Sequence, residues 1–359
     1  MKKLSIVIVS YNVADYLVQC LTSVSRAIKN VDADVWIVDN NSKDETIALV
    51  EKMFPDANII ASSHNLGFAK ANNKAITDSD SQYVLLLNPD TIVGEEVIKD
   101  TVDFMDKHPD AGALGVRMLQ ADGNDARESR RGIPDPLTSF FKVTGLCKRF
   151  PENHRLGHYY MGWLPWDKTC RIEVVSGAFC MLRRKAIEQV GSLDEDFFMY
   201  GEDIDLSYRI LKGGWNNYYL PSLILHYKGE STTKTSFRYL HVFYGSMLIF
   251  IRKHYPNMGL LISLPVKAAI LFMAFLSLVR MTARAISKSL GFFRPAKDAS
   301  SNDYILFDAS QTTYSEMLRN LQGSDHKKKI AVYYHDLQKV ITPDDVFNHV
   351  KRREDFSRI

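Results

Sequence analysis

The chain has little cysteine: Cys20, Cys147, Cys170 and Cys180 are all it holds in 359 residues, without CxxC spacing or histidine companions. That excludes a disulfide framework and a cysteine-based zinc site, and predicts reduced, mostly buried thiols. An excess of charge is also missing. A formal net charge of +3 is too small to imply a nucleic-acid surface, and no basic array interleaved with aromatics occurs. No nucleic-acid partner is expected. At the N-terminus the apolar run Leu4–Val9 is short and ends in Ser10-Tyr11-Asn12, with no small-residue cleavage site. It reads as a buried first strand rather than a signal peptide, in a cytoplasmic protein. What is present, 46% hydrophobic and 24% charged residues, is ordinary for a globular chain. At ~150 residues per domain, the length suggests one large domain plus an appendage.

The first hundred residues alternate short β-rich runs, Leu4–Val9, Val35–Val38, Asn58–Ala61 and Tyr83–Leu87, with helix-compatible patterns at Ala14–Ile28, Asp44–Phe54 and Gly67–Thr77. That alternation predicts βαβ units and an α/β fold around a parallel sheet covered on both faces. Ser42-Lys43-Asp44-Glu45 is a capping-box pattern and is expected to start the second helix. Residues 119–170 lose the period and mix Gly, Pro, Arg and aromatics, as functional or mobile loops do. Glu173–Arg183 and Asn217–Tyr227 read as strands, with a helix over Asp203–Lys212 ended by Gly213-Gly214. Residues 236–257 predict another helix. Beyond 290, Asp303–Asp308 and Ile330–Tyr334 look like strands and Thr342-Pro343-Asp344-Asp345 like a helix start. These make a small α/β appendage of unknown role.

Met258–Val279 is nearly continuous apolar sequence. Its length permits a bilayer span of ~20 residues, but Lys267 would then sit near mid-bilayer at roughly 2.5–3.5 kcal/mol. At the helical period Lys267, Arg280, Arg284 and Lys288 fall within one arc of about 140°. That favours a helix lying on the membrane, its basic face toward anionic head groups. A true span and a helix in a soluble core stay open beside it.

Glu202, Asp203 and Asp205 crowd three carboxylates behind the aromatic cluster Phe197-Phe198-Met199-Tyr200. Like charges this close raise one another's pKa, which suits a general base or a cation site. A helix N-terminus using the charge against the macrodipole is the alternative. Asp205 and Glu202 are expected to cap that helix while Asp203 faces a substrate. The first strand runs out into Ser10-Tyr11-Asn12 and the second into Asp39-Asn40-Asn41-Ser42. Carboxyl ends of neighbouring parallel strands form a ligand crevice, where Asp39 can accept from a base N–H or a ribose hydroxyl; a plain turn is the other reading. In Asn65-Leu66-Gly67 the glycine lets the backbone approach a ligand as a helix begins. Leu85-Leu86-Leu87 runs into Asn88-Pro89-Asp90. A hard cation bridging a diphosphate takes one or two protein carboxylates, so Asp90 is a candidate Mg2+ or Mn2+ ligand, against an ordinary strand-ending turn. Arg127, Arg130 and Arg131 can grip a diphosphate on a lipid-linked acceptor or stay solvated. Trp163 and Trp166 can stack on a sugar or pack the loop.

In this order Ile6-Val7-Ile8-Val9-Ser10-Tyr11-Asn12, Val38-Asp39-Asn40-Asn41-Ser42, Asn65-Leu66-Gly67-Phe68-Ala69, Asn88-Pro89-Asp90, Ser176-Gly177-Ala178, Phe198-Met199-Tyr200-Gly201-Glu202-Asp203-Ile204-Asp205 and His226-Tyr227-Lys228-Gly229-Glu230-Ser231 resemble a family 2 glycosyltransferase, rhamnosyltransferase-like. The resemblance covers about residues 4–255. It implies a GT-A fold, a mixed and mostly parallel sheet flanked by helices. The nucleotide-binding half would cover about 1–115 and the acceptor half about 116–255. Membrane-associating helices over 256–290 and the appendage over 291–359 would follow. The implied reaction is a metal-dependent, inverting transfer of rhamnose or a hexose from a nucleoside-diphosphate sugar. The acceptor would be a hydroxyl of a lipid-linked or polysaccharide glycan, at the inner face of the plasma membrane. Carried over residue by residue, Ser10, Tyr11, Asn12, Asp39, Asn65 and Gly67 bind the nucleotide, and Asp90 and His226 meet Mg2+ or Mn2+. Asp203 is the base, and Arg130, Arg131, Gly177 and Glu202 face the acceptor or diphosphate. Asn88 departs from the family by replacing the first carboxylate of Asp-x-Asp, which opens weaker metal binding or a different donor sugar. The rival reading is a catalytically inactive sugar-nucleotide-binding or scaffold protein, against which the intact carboxylates argue. A nucleotidyltransferase would show a Gly-rich basic loop after the first strand, and Ser10-Tyr11-Asn12 is not one.

Overall fold

The computed structural model describes residues 1–227, 237–256, 260–289, 303–348 and 350. Its N-terminal part runs β1 (Lys2–Ser10), α1 (Ala14–Ala27), β2 (Ala33–Asp39), α2 (Thr46–Met53), β3 (Asn58–Ala61), α3 (Phe68–Asp78), β4 (Ser81–Leu87), β5 (Thr91–Val93), α4 (Val97–Lys107) and β6 (Ala111–Leu119). Then come α5 (Pro136–Val143), α6 (Leu146–Arg149), β7 (Cys170–Ile172), β8 (Phe179–Arg183), α7 (Arg184–Val190), α8 (Glu202–Lys212), β9 (Asn216–His226), α9 (Phe237–His254) and α10 (Leu260–Ser289). The C-terminal part adds β10 (Tyr304–Asp308), α11 (Tyr314–Gln322), β11 (Lys329–Tyr334), β12 (Lys339–Ile341) and β13 (Val346–Phe347).

The large sheet has the order β3-β2-β1-β4-β8-β6-β9-β5, with β7 paired to β9. β1 to β4 are mutually parallel, whereas β8, β5 and β7 each run antiparallel to their neighbours. This is a mixed, mostly parallel α/β sheet of the GT-A kind. Alternation along the strands builds two cores: Leu4, Ile6 and Ile8 of β1 join Tyr83, Leu85 and Leu87 of β4 on one face, while Val7 and Val9 join Val84 and Leu86 on the other. Because β1 is followed by β2 on one side and borders β4 on the other, strand order reverses between β1 and β4. Open α/β sheets bind ligands outside the carboxyl ends of the strands at such a point.

Three local expectations are corrected. α2 begins at Thr46, not after Ser42, because the Ser42 hydroxyl is taken by the Asn12 N–H at 2.9 Å and Asp44 accepts from the Thr46 N–H instead. Glu173–Arg183 is not one strand. Only β8 continues the sheet, and the Glu173 carboxylate is drawn to the Ile133 N–H and to His158. Thr342–Asp345 does not start a helix: the pairing Ile341↔Val346 closes it as a hairpin turn, with the Thr342 hydroxyl accepting from the Asp344 and Asp345 N–H groups.

The sheet β10-β11-β12-β13 shares one apolar cluster with the large sheet, where Phe307, Tyr314, Leu318 and Ile341 meet Val13, Tyr16, Ile92, Leu225 and Tyr227. Glu95 seals the joint by accepting the N–H groups of Tyr314 and Ser315 at 2.8 Å, at the start of α11. Along α10, Leu264, Leu271, Phe272, Phe275, Val279 and Ile286 stand exposed at helical spacing. Among the described residues no helix is long and apolar enough to cross a membrane. The side chains of Lys267, Arg284 and Lys288, and the motif residues Lys228-Gly229-Glu230-Ser231, lie outside the described residues.

Candidate active site

The crevice at the β1/β4 switch is walled by two loops that lock each other. Asn12 and Asn41 both take positive φ (54° and 67°), which Asn tolerates better than most residues. The Asn12 side chain accepts from the Lys43 N–H at 2.7 Å, and the Asn40 N–H donates to the Ser10 carbonyl at 2.8 Å. Tyr11 is exposed at the loop, while Ser10 and Asp39 are buried. Asp39 Oδ2 accepts from the Ser42 N–H at 3.0 Å, but Oδ1 has no hydrogen-bond partner among the described residues. A buried acceptor left so costs about 1–3 kcal/mol, and an incoming base N–H or ribose hydroxyl would satisfy it.

Asn65 accepts from the Gly67 N–H at 2.9 Å, and Asn40 reaches across to the Leu66 N–H and the Gly67 carbonyl. The reason for glycine here differs from the one expected. At φ +81° a Cβ on Gly67 would lie 2.4 Å from the Phe198 carbonyl oxygen, so backbone of the aromatic cluster already requires glycine here. The Phe68 N–H donates to that same carbonyl at 2.7 Å, tying the start of α3 to the segment ahead of α8.

Asp90 follows β4, and the pairing of β5 with β9 sets Thr91 opposite His226. His226 Nε2 consequently lies 3.3 Å from Asp90 Oδ1 and 3.3 Å from the Asn88 side-chain nitrogen. His226 Nδ1 is buried and has no partner among the described residues. The set of one carboxylate and one imidazole suits a divalent cation that draws its remaining ligands from a diphosphate. Among the described residues no three acidic, histidine or cysteine side chains cluster as a complete cage.

Across the sheet, Gly201 (φ 93°) turns the chain into α8 with no side-chain cap, so neither Glu202 nor Asp205 caps the helix as expected. Asp205 is buried instead between Arg209 (2.7 Å) and His254 of α9 (2.6 Å). Asp203 accepts from the Ile204 N–H at 2.8 Å, from the Gly177 N–H at 3.1 Å and from the Arg131 guanidinium. Burial opposes the charge on Arg131, yet Asp203 beside it holds the guanidinium well above its ordinary pKa. Arg130 goes elsewhere: it is buried with its guanidinium 3.5 Å from the Trp166 ring centre and bonded to the Leu164 carbonyl. Trp166 therefore packs the loop, and Trp163 stacks on His154 at 4.4 Å. Asp203, Glu202, Arg131 and Lys142 line a cavity of about 160 Å³ whose far wall is apolar, formed by Phe243, Met247, Phe250 and Ile251 of α9. Sequence reading missed Lys142 and that wall; the spacing 243, 247, 250 and 251 on a predicted helix was the available signal.

Glu202 is buried, and its Oε2 has no partner among the described residues. Burial first, then the charge of Asp203, pushes its pKa from 4.5 up to about 8. The folded state holds this proton more tightly than the unfolded chain, so Glu202 lowers stability progressively as pH rises from about 4.5 to about 8. Glu202→Gln is therefore expected to raise the melting temperature more at pH 8.5 than at pH 4; an equal change at both would contradict this.

A profile of glycosyl transferase family 2 matches residues 5–191, more than half of the chain. The chain belongs to glycosyltransferase family 2. A second profile, glycosyl transferase family group 2, matches residues 154–293. The family member is 30% identical over 270 residues to the N-acetylglucosaminyl-diphospho-decaprenol L-rhamnosyltransferase of Mycobacterium tuberculosis, covering 69% of this chain and 83% of the relative. It is 28% identical to the low-salt glycan biosynthesis hexosyltransferase Agl10 of Haloferax volcanii, over 57% of this chain and 61% of the relative. A mannosyltransferase of Pyrobaculum calidifontis, solved with GDP-Man and Mn2+, superposes with a TM-score of 0.46 at 16% identity, covering 82% of this chain and 81% of that one.

Proposed function

We propose that this family 2 glycosyltransferase moves rhamnose or a hexose from a nucleoside-diphosphate sugar to a hydroxyl of a lipid-linked or polysaccharide acceptor, with inversion. The observation that carries the reading is Asp203, held by Arg131 and the Gly177 N–H at the edge of a cavity with an apolar wall. In this reading Asp39 and the loops at Ser10-Tyr11-Asn12 and Asn65–Gly67 hold the nucleotide. Asp90 and His226 would hold Mg2+ or Mn2+, which offsets charge on a departing diphosphate. Asp203 takes the proton from the acceptor hydroxyl as that oxygen attacks the anomeric carbon, a contribution of ~10²–10⁴-fold. A single displacement of this kind inverts the centre. Arg131 and Lys142 supply cationic donors for an anionic acceptor group, and the apolar wall of α9 suits a lipid portion. The name of the mycobacterial relative, which carries a sugar on a diphospho-lipid, supports that acceptor class. Residues 1–115 serve the donor and 116–255 the acceptor.

A membrane partner belongs to the same reading. Residues 231–297 contain no Asp or Glu and ten Lys or Arg, and the exposed stripe of α10 runs through them. This combination fits an anionic bilayer surface and supports a proposed location at the inner face of the plasma membrane. The full-length chain is expected to float with phosphatidylglycerol vesicles, and Phe272→Glu with Phe275→Glu to abolish flotation. Persistence of binding in that double variant would locate the contact elsewhere.

The function is tested by incubating the full-length chain and Mn2+ with dTDP-rhamnose, UDP-hexoses and GDP-mannose, reading products by mass spectrometry. One donor should be turned over. Nucleotide binding without turnover across the panel would favour the inactive sugar-nucleotide binder.

A further inference from the structure

The described C-terminal residues, 303–348 and 350, contribute no side chain to the cavity beside Asp203, yet they are seated directly behind the β1/β4 crevice. β9 ends at His226, and the next residue, Tyr227, is buried in the cluster shared with the C-terminal sheet. The Tyr227 N–H donates to the Asp90 carbonyl at 3.0 Å. One residue thus joins both metal-side donors, by peptide adjacency to His226 and by hydrogen bond to Asp90. Tyr16 presses on it edge-on, with ring centres 5.5 Å apart, and donates its hydroxyl to the Thr342 carbonyl at 2.8 Å. Tyr16 lies in the first turn of α1, just past Asn12, where its neighbour Asp15 pairs with Lys339 at 2.6 Å. The same small sheet therefore grips two sides of the site: the start of α1 behind the Ser10–Asn12 loop, and the end of β9 behind His226.

Building on the glycosyltransferase reading, we propose that residues 304–350 are a brace for the diphosphate end of the donor site, with Tyr16 as the positioning residue that holds His226 and the Ser10–Asn12 loop at their working separation. Polar donors a few ångströms from a ligand lose effect when their support loosens by about 1 Å. A ring contact and a buried hydrogen bond are large enough to supply that support. The brace acts through other residues and touches no reacting atom.

The test is titration calorimetry of the full-length chain with UDP, GDP and dTDP, each with and without Mn2+. Tyr16→Leu removes both contacts and should weaken Mn2+-dependent binding of the preferred nucleotide about tenfold, whereas Tyr16→Phe, losing only the hydroxyl, should weaken it about threefold. Both should need more Mn2+ for half-maximal binding. If Tyr16→Leu does not fold, Tyr16→Phe decides alone. Folded variants that bind the Mn2+ nucleotide as the wild type does overturn the brace, even where the melting temperature falls. A wild-type chain that binds none of the three nucleotides would instead overturn the glycosyltransferase reading, and the brace with it.

Discussion

Asp203→Asn is expected to lower kcat by ~10²–10⁴-fold while nucleotide affinity stays within a factor of about two. Asparagine keeps the size of the side chain and can still accept from the Ile204 or Gly177 N–H. It cannot take a proton from an acceptor hydroxyl. The variant also leaves Arg131 without its counter-charge in a largely buried place, and breaking a buried pair costs up to roughly 3–5 kcal/mol of stability. Rates must therefore be read at a temperature where denaturation curves show the variant fully folded. Initial rates at saturating donor then separate chemistry from binding. An undiminished kcat would remove Asp203 as the base. Glu202 would be the residue to examine next, since it lines the same cavity with an unpartnered oxygen.

Loss of metal response is the second large effect. Asp90→Ala should reduce turnover on the order of 10²–10³-fold, because a cation at a departing diphosphate contributes several kcal/mol. Mn2+-dependent tightening of nucleotide binding should vanish with it. His226→Ala should do less, near tenfold, since a neutral imidazole brings no charge and Asp90 remains. Calorimetry with and without Mn2+ reads both variants independently of turnover. An Asp90→Ala chain whose activity still rises with Mn2+ would show that the cation sits elsewhere. Asn88, 3.3 Å from His226 through its side-chain nitrogen, fills the place of a carboxylate without adding charge, so this site leans on Asp90 more than an Asp-x-Asp site would.

These two effects depend on residues whose types stood out in the sequence and whose partners did not. β1, β2, β3 and β4 were legible because apolar runs of strand length carry their own signal, strongest in β1 and β4, which are largely buried on both faces. α8 and α9 were legible through period and, for α8, the glycines that end it. The failures share a cause. Ser42-Lys43-Asp44-Glu45 and Thr342–Asp345 carry good local helix signals, but contacts outside the signal override both: the Asn12 N–H takes the Ser42 hydroxyl, and the pairing of β12 with β13 closes 342–345 as a hairpin turn. Arg130 and Arg131 are adjacent in sequence and equivalent to any local rule. One is buried on Trp166 and the other meets Asp203, because the chain alternates sides as it passes the sheet edge.

By itself the sequence determined the alternating α/β layers through periodicity, a local property, and the family through the order of its motifs. It offered Asp39, Asp90 and Asp203 only as candidate groups for chemistry. Only the tertiary structure decided that Asp90 stands beside His226, that Arg131 rather than Arg130 holds Asp203, and that Gly67 is there to admit the Phe198 carbonyl. It also decided that the C-terminal sheet sits behind the crevice and not apart from it. Each of these contacts joins residues far apart along the chain. What brings them together is strand order, register and the burial of shared apolar surface, which no short window of sequence contains.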